Sequence, residues 1–433
     1  MSNVPPNPYV GPRSFRRDET LYGRDREVTD LVGLLIAERL VLMYSPSGAG
    51  KTSLIQAALI PRLEEKRFHV LPAIRVNTAP LDAPDGNRYL LSTLLSLEEN
   101  VPSEQQRAVQ ELAHLSLADY LKERLATSDG DDLVLIFDQF EEILTVDPTN
   151  QRAKAAFFQE LGAALHQHEQ VWTLFAMREE YLAGLDPYRS AVPNHLRDTF
   201  RLDLLGPKAA QQAMQHPARA LGVDFTDAAT QRLTDDLRQV QVQQPDGTLV
   251  VQPGLHIEPV QLQVVCLRLW ETLPPGATRI DAKDVTALGN VDTALADYYA
   301  ERVAAAASVT GVSERTVRTW VDCELMTEQG IRGQVLKGVA ASEGLDNQVI
   351  QHLIDAHLVR AEPRRGVTWF ELAHDRLVEP VRQNNAAWRE VNLSLLQRQA
   401  ALWEREKRPE GLLLRGEPLR EAEAWASAHA DEM

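Results

Sequence analysis

Residues 39–59 (RLVLMYSPSGAGKTSLIQAAL) constrain the fold more than any other stretch. An apolar run over residues 40–44, of buried-strand length, breaks at Ser45-Pro46-Ser47-Gly48-Ala49-Gly50, and a helix-forming segment follows from Lys51. Strand, glycine-rich loop and helix, in that order, is the context in which a phosphate-binding loop works. Backbone N–H groups across Ser47, Gly48, Ala49, Gly50, Lys51, Thr52 and Ser53 then face a phosphate at the positive end of the new helix. Lys51 adds a point charge toward the β- and γ-phosphates, and the Thr52 hydroxyl takes a place on Mg²⁺. Ser45 stands where the G-x-x-x-x-G-K-[ST] pattern has its first glycine. The loss is mild, because the later loop residues make most of the anion nest.

A parallel α/β sheet should surround this loop. Residues 68–76 alternate as a second strand, and residues 132–137 (DLVLIF) form a continuous apolar strand that ends in Asp138-Gln139-Phe140-Glu141-Glu142. An aspartate at the carboxyl end of a buried parallel strand is the usual partner of a phosphate-binding loop, since it can hold Mg²⁺ through water beside Thr52. Glu141 or Glu142 would polarise the attacking water, and the other would start the next helix. Residues 171–177 (VWTLFAM) form another buried strand, ending at Arg178-Glu179-Glu180. If that strand lies between the other two, Arg178 faces the γ-phosphate. The alternative is a strand-end arginine paired with Glu179 or Glu180. A fifth short strand over 199–204 closes the sheet before Gly206-Pro207.

Upstream, Tyr22-Gly23-Arg24 leads into an apolar i, i+3, i+4, i+7 stripe, Val28, Leu31, Val32 and Leu35. Its backbone suits an adenine edge; the plain alternative is a helix start near Asp25. Residues 206–305 read as an all-helical lid with one polar loop (239–254), and Pro259 opens a helix in its first turn, placed to touch a base. Residues 306–382 combine about three helical segments with two short β patterns, a winged helix. Its candidate recognition helix, residues 346–358 (DNQVIQHLIDAHL), has no Lys or Arg, so DNA binding is not favoured. Were DNA bound, Arg360, Arg364 and Arg365 would be the contacts. Residues 388–403 and 412–425 look like amphipathic helices in a C-terminal unit over 383–433.

A net charge of −17 in 433 residues argues against a chain whose main task is coating nucleic acid or anionic membrane. Cys266 and Cys323 sit in apolar helical patterns and read as buried thiols. Neither a signal peptide nor an apolar run of about 18 residues is visible, so a cytoplasmic location without membrane contact is expected.

Taken together, Tyr22-Gly23-Arg24, SPSGAGKTSL, LVLIFDQFEE, Arg178, Pro259 and ELAHDRL (371–377) resemble the bacterial novel STAND NTPase family, signal-transduction P-loop ATPases related to NACHT and NB-ARC switches. The resemblance covers residues 7–425, and Gly11 to Phe15 adds to it. It implies an additional-strand, AAA+-like sheet of five parallel strands in an arm-bearing domain over 1–205, followed by the lid, the winged helix and the C-terminal helices. It also implies an ADP-bound resting state that exchanges for ATP with Mg²⁺, hydrolyses it slowly, and assembles into a homo-oligomer in bacterial signalling or defence. Ala373-His374-Asp375 sits where NB-ARC relatives carry a Met-His-Asp motif, which makes His374 a candidate ADP latch. Members usually join this core to an effector and to repeat sensors, so an unidentified sensor or effector protein is an expected partner. A non-hydrolysing, ADP-locked scaffold and a DNA-binding regulator are the competing readings.

Overall fold

The computed structural model describes residues 7–77, 86–102, 104–127, 131–145, 149–243, 249–289, 291–327, 332–364, 367–373, 377–405 and 409–428. Helix α1 (Asp25–Glu38) buries Val28, Leu31, Val32 and Leu35, the stripe that the sequence sets at helical spacing. Strand β1 (Leu40–Ser45) follows, and after the loop helix α2 (Lys51–Leu54) runs into a π-helical turn (Ile55–Leu59) and a further α-helical stretch (Ile60–Glu65). Pro61 explains the widened turn: it has no N–H to give to the preceding turn, and its ring crowds the carbonyl four residues back.

Strands β2 (Phe68–Val70) and β3 (Asp132–Phe137), helix α3 (Gln151–Gln167), and strands β4 (Val171–Arg178) and β5 (Thr199–Arg201) complete the first segment. The sheet order is β2-β3-β4-β1-β5, and every pairing is parallel. Hence β4 is the extra strand between the loop strand and the aspartate strand. Alternate residues of the same strands feed two cores. Leu133, Leu135 and Phe137 pack with Phe157 and Phe158 of α3, whereas Val134 and Ile136 pack toward α1 and α2. Burial on both faces explains the continuous apolar runs, each fully buried aliphatic side chain contributing roughly 1.5–3 kcal/mol.

The remainder is built from α4 (Pro207–Ala220), α5 (Pro259–Glu271), α6 (Val291–Thr310), α7 (Glu314–Glu324), β6 (Val335–Leu336), α8 (Asn347–Asp355), β7 (Val359–Arg364), β8 (Val367–Leu372) and α9 (Val378–Asn392). Strands β6, β8 and β7 form a three-stranded antiparallel sheet in that order. A single core runs from Leu205 to Val381 and takes in Tyr9 of the N-terminal arm. The arm lies across α4 and α5: the Tyr9 hydroxyl donates to the Met214 carbonyl at 2.5 Å, and Asn7 Nδ2 donates to the Leu267 carbonyl at 3.0 Å. Among the described residues no helix is long and apolar enough to cross a membrane.

Four expectations need correction. The segment 206–305 is not all helical: Gln239–Gln243 pairs antiparallel with Leu249–Pro253 where a loop was expected, and Asp224–Phe225 pairs with Arg279–Ile280. Alternating Val and Gln on either side of a Pro-Asp-Gly sequence is itself a hairpin pattern. Among the described residues of 313–377 there are two α-helices where about three helical segments were expected. Cys266 is buried, but Cys323 is exposed, because α7 buries Val317, Trp320 and Val321 and carries residue 323 off that face. The helix expected over 388–403 is broken at Leu393, where the Ser394 hydroxyl accepts the Gln397 N–H and starts a new helix.

Candidate functional site

The phosphate-binding loop is held from both sides. Gly50 has φ +90°, a left-handed conformation that costs other residues strain, and it directs the loop into α2. Arg24, 4% exposed, donates to the Ala49 carbonyl at 3.0 Å and the Asp203 carbonyl at 2.8 Å, and it pairs with Glu27 at 2.8 Å. It therefore ties the loop to α1 and to the chain beyond β5. Gly23 has φ +80°, and a Cβ there would stand 2.3 Å from the Ala209 carbonyl oxygen, so the turn fits α4 only without a side chain. The Tyr22 ring meets His216 edge to face at 5.4 Å.

Ser45 is fully buried; its hydroxyl donates to the Pro46 carbonyl at 2.8 Å and accepts from Lys51 Nζ at 2.9 Å. The residue that departs from the loop pattern thus orients the loop lysine. Burial pulls the Lys51 pKa down, against the raising influence of Glu141 and Asp138. Thr52 Oγ1 donates to Asp138 Oδ2 at 2.9 Å, which brings the two expected metal residues together. Asp138 also accepts from the Gln139 N–H at 2.9 Å, and its Oδ2 lies 3.5 Å from Arg75. Ser53 takes a different role from its loop neighbours: its hydroxyl accepts the Phe15 N–H of the arm at 3.2 Å.

The two glutamates differ. Glu141 accepts the Arg178 N–H at 3.3 Å and faces Arg178 Nε at 3.5 Å; burial raises its pKa, while Lys51 and Arg178 oppose the rise. Glu142 opens a short helix and lies 3.6 Å from Arg75 Nη1. Arg178 therefore pairs with Glu141 across the strand tips, and Glu179 pairs with Arg201 instead.

These residues line a cavity of about 620 Å³. Tyr22, Arg24, residues 47–53, Asp138, Glu141, Glu142, Arg178 and Pro259 all border it, and Pro259 Cγ lies 3.9 Å from where a Gly50 Cβ would stand. His374 lies outside the described residues, although Ala373 lines the cavity. Sequence reasoning missed the far wall. Arg332, Gln334, Arg360 and Glu371 border the same cavity from β6, β7, β8 and their approach. Glu371 bonds Arg360 and accepts from Gln334 Nε2 at 2.9 Å, with Arg332 3.8 Å away. Burial would raise the Glu371 pKa, but Arg360 and Arg332 hold it below the usual range. Only the ELAHDRL match pointed to this wall, and it singled out His374.

A loop with lysine and threonine at a helix start, an aspartate strand beyond one inserted strand, and a cavity closed over them define the P-loop NTPase class with an additional strand. The sequence matches the family described as Novel STAND NTPase 1 over residues 8–411, and the chain belongs to that family. It is a P-loop NTPase, as the resemblance implied. No curated protein matches it. Among solved structures it is similar to the Walker-type ATPase of Pyrococcus abyssi, at 14% identity and TM-score 0.44, covering 86% of this chain and 98% of that one. It is also similar to the Aeropyrum pernix ORC2 protein in its ADPNP and ADP complexes, at 16% identity and TM-score 0.45, covering 86% and 96%. A third is the Aeropyrum pernix ORC1 protein in complex with DNA, at 16% identity and TM-score 0.41, covering 85% and 93%.

Proposed function

We propose that this chain is a nucleotide-dependent signalling switch that binds ADP at rest and ATP with Mg²⁺ when active, hydrolyses ATP slowly, and changes its conformation and oligomeric state with the nucleotide. The observation that carries the reading is the cavity's construction. One wall is the loop with Asp138, Glu141 and Arg178; the opposite wall is Pro259 together with Arg332, Arg360 and Glu371. A γ-phosphate changes the charge between these walls, and a ligand shifts a conformational equilibrium only by binding the two states with different affinity. One charge-assisted contact is worth roughly 1.5–3 kcal/mol, so two or three suffice to reverse the balance.

Each wall has an assigned part. Lys51 and the loop N–H groups bind phosphate, Glu141 accepts a proton from the attacking water, and Arg178 answers to the γ-phosphate. The Thr52 hydroxyl and Asp138 carboxylate, 2.9 Å apart, suit a Mg²⁺ that takes most of its remaining ligands from phosphate and water. That ion neutralises charge on the phosphate oxygens. We read residues 306–382 as a winged helix turned to internal regulation, since Arg360 is bound to Glu371 and borders the cavity. Pro259 and His374 complete the proposed ADP contacts.

Lys51→Ala tests the reading. The purified variant should contain no ADP or ATP, whereas the wild type co-purifies with nucleotide. Measured against nucleotide-stripped wild type, the variant's Tm should stay the same or rise, because burial disfavours the charged lysine in the fold; that comparison separates lost binding from lost folding. Unchanged nucleotide content would sink the proposal. The Arg178–Glu141 pair favours one second reading, an ADP-locked scaffold without turnover, and the rate comparison given for Glu141 below distinguishes the two.

A further inference from the structure

On α5, residues Pro259, Gln263, Leu267 and Trp270 recur at helical spacing and present one face. The far part of that face is covered by the arm, through Asn7 on the Leu267 carbonyl and Tyr9 against the Trp270 ring at 6.2 Å. The near end lies against the phosphate-binding loop through Pro259. Gln263 stands between them, four residues beyond Pro259 or about 6 Å along the axis. It is 8% exposed and borders the nucleotide cavity.

Its carboxamide has a defined orientation. The Val10 backbone N–H donates to Gln263 Oε1 at 3.1 Å. A backbone N–H can only donate, so the atom facing the arm is the carbonyl oxygen, and the NH₂ group takes the other side. That NH₂ has no hydrogen-bond partner among the described residues. The cavity it borders is lined in part by apolar residues, Leu21, Ala213, Pro217 and Val260 with Tyr22, and by Arg13 and Ser14 of the arm. A cavity that combines those apolar residues with a carboxamide whose orientation is fixed one turn beyond Pro259 has the make-up of a base site.

We propose that Gln263 determines base recognition: its NH₂ donates to a ring nitrogen of adenine, and the arm fixes which face of the carboxamide the base meets. The inference rests on the nucleotide reading above and adds its specificity residue. It also gives the arm a task, since displacing Val10 frees the carboxamide to rotate and blurs discrimination. The position was not among the sequence candidates, because a glutamine within an apolar helix reads as ordinary until its partner 253 residues away is known.

Calorimetric titration of nucleotide-stripped protein with ADP and with 1-deaza-, 3-deaza- and 7-deaza-ADP tests it. In the wild type one deaza analogue should bind about fivefold to tenfold more weakly than ADP, the scale of one neutral hydrogen bond. Gln263→Leu should lose the same factor for ADP, and that analogue should then bind as well as ADP. Gln263→Glu keeps an acceptor for Val10 and should show the same loss of coupling. Pyrophosphate, which needs the loop but no base, should bind all three proteins equally and so reports an intact site. If the three analogues match ADP in the wild type, the proposal is overturned even where neither variant folds. Equal analogue ratios in wild type and variants overturn it too. Failure of the wild type to bind ADP at all would overturn the nucleotide reading itself, an outcome distinct from the other two.

Discussion

Glu141 carries a charge that its surroundings resist. Burial raises its pKa despite Lys51 and Arg178 nearby, so as a general base it should lose its proton at higher pH than an ordinary carboxylate. ATP turnover is therefore expected to fall on the acid side earlier than a solvent-exposed glutamate would dictate, as a pH–rate profile would record. Glu141→Gln should slow turnover by about 10²–10⁴-fold, the range for a positioned base, with Glu142→Gln closer to wild type; equal rates in all three proteins would favour the scaffold. The sign on stability is opposite. A raised carboxyl contributes stability below its unfolded pKa and loses it as pH rises through the folded value. Glu141→Gln should thus melt higher than the wild type near pH 7, with the gap closing in acid. Sequence spacing singles out Lys51, Thr52 and Asp138 as candidates and leaves Glu141 and Glu142 undivided, because each lies within a few residues of a strand end. Arg75, Gln263 and Arg332 have no such local signature. Their roles come from what the folded chain sets beside them, as does Ser45's hold on Lys51.

At the scale of elements, the turn before α1 and helix α4 are fitted to each other through Gly23. Alanine there would meet the Ala209 carbonyl and occupy a left-handed φ at once. Gly23→Ala should cost about 2–3 kcal/mol, within the range for strain at a special backbone position, and should weaken nucleotide binding as Tyr22 shifts. Paired urea melts and ADP titrations would check both. Strands with continuous apolar runs are legible, and all five strands exist, but the second and fifth are shorter than expected, 68–70 and 199–201 in place of 68–76 and 199–204. Helix boundaries were less so. The π-helical turn before Pro61 and the break at Leu393 depend on backbone hydrogen bonds that side-chain periodicity does not encode. The hairpin pairing 239–243 with 249–253 has an alternating sequence, but its polar composition is equally that of a loop.

For the whole molecule, the core from Leu205 to Val381 makes the two segments beyond the sheet a packed body rather than beads on a string. If the proposed switch operates, movement should occur between that body and the sheet, across the cavity. Mass measured in solution with ADP and with a non-hydrolysable ATP analogue checks this: the analogue should give the larger assembly, and identical masses would count against the oligomeric part of the proposal. A DNA-bound form is not expected, since α8 carries no Lys or Arg; absence of binding at low salt would agree. The cavity's lining runs from Gly11 to Ala373, and that spread reaches into biogenesis. During synthesis its walls cannot all be present until residue 373 has left the ribosome, so a finished grip on a ligand requires a chain made at least that far and correctly joined. A ligand held at a thousand times its Kd adds about 4.1 kcal/mol to the folded state. A ligand in this cavity would then serve as its last structural component, and ligand-free protein should be cut by protease more readily than loaded protein.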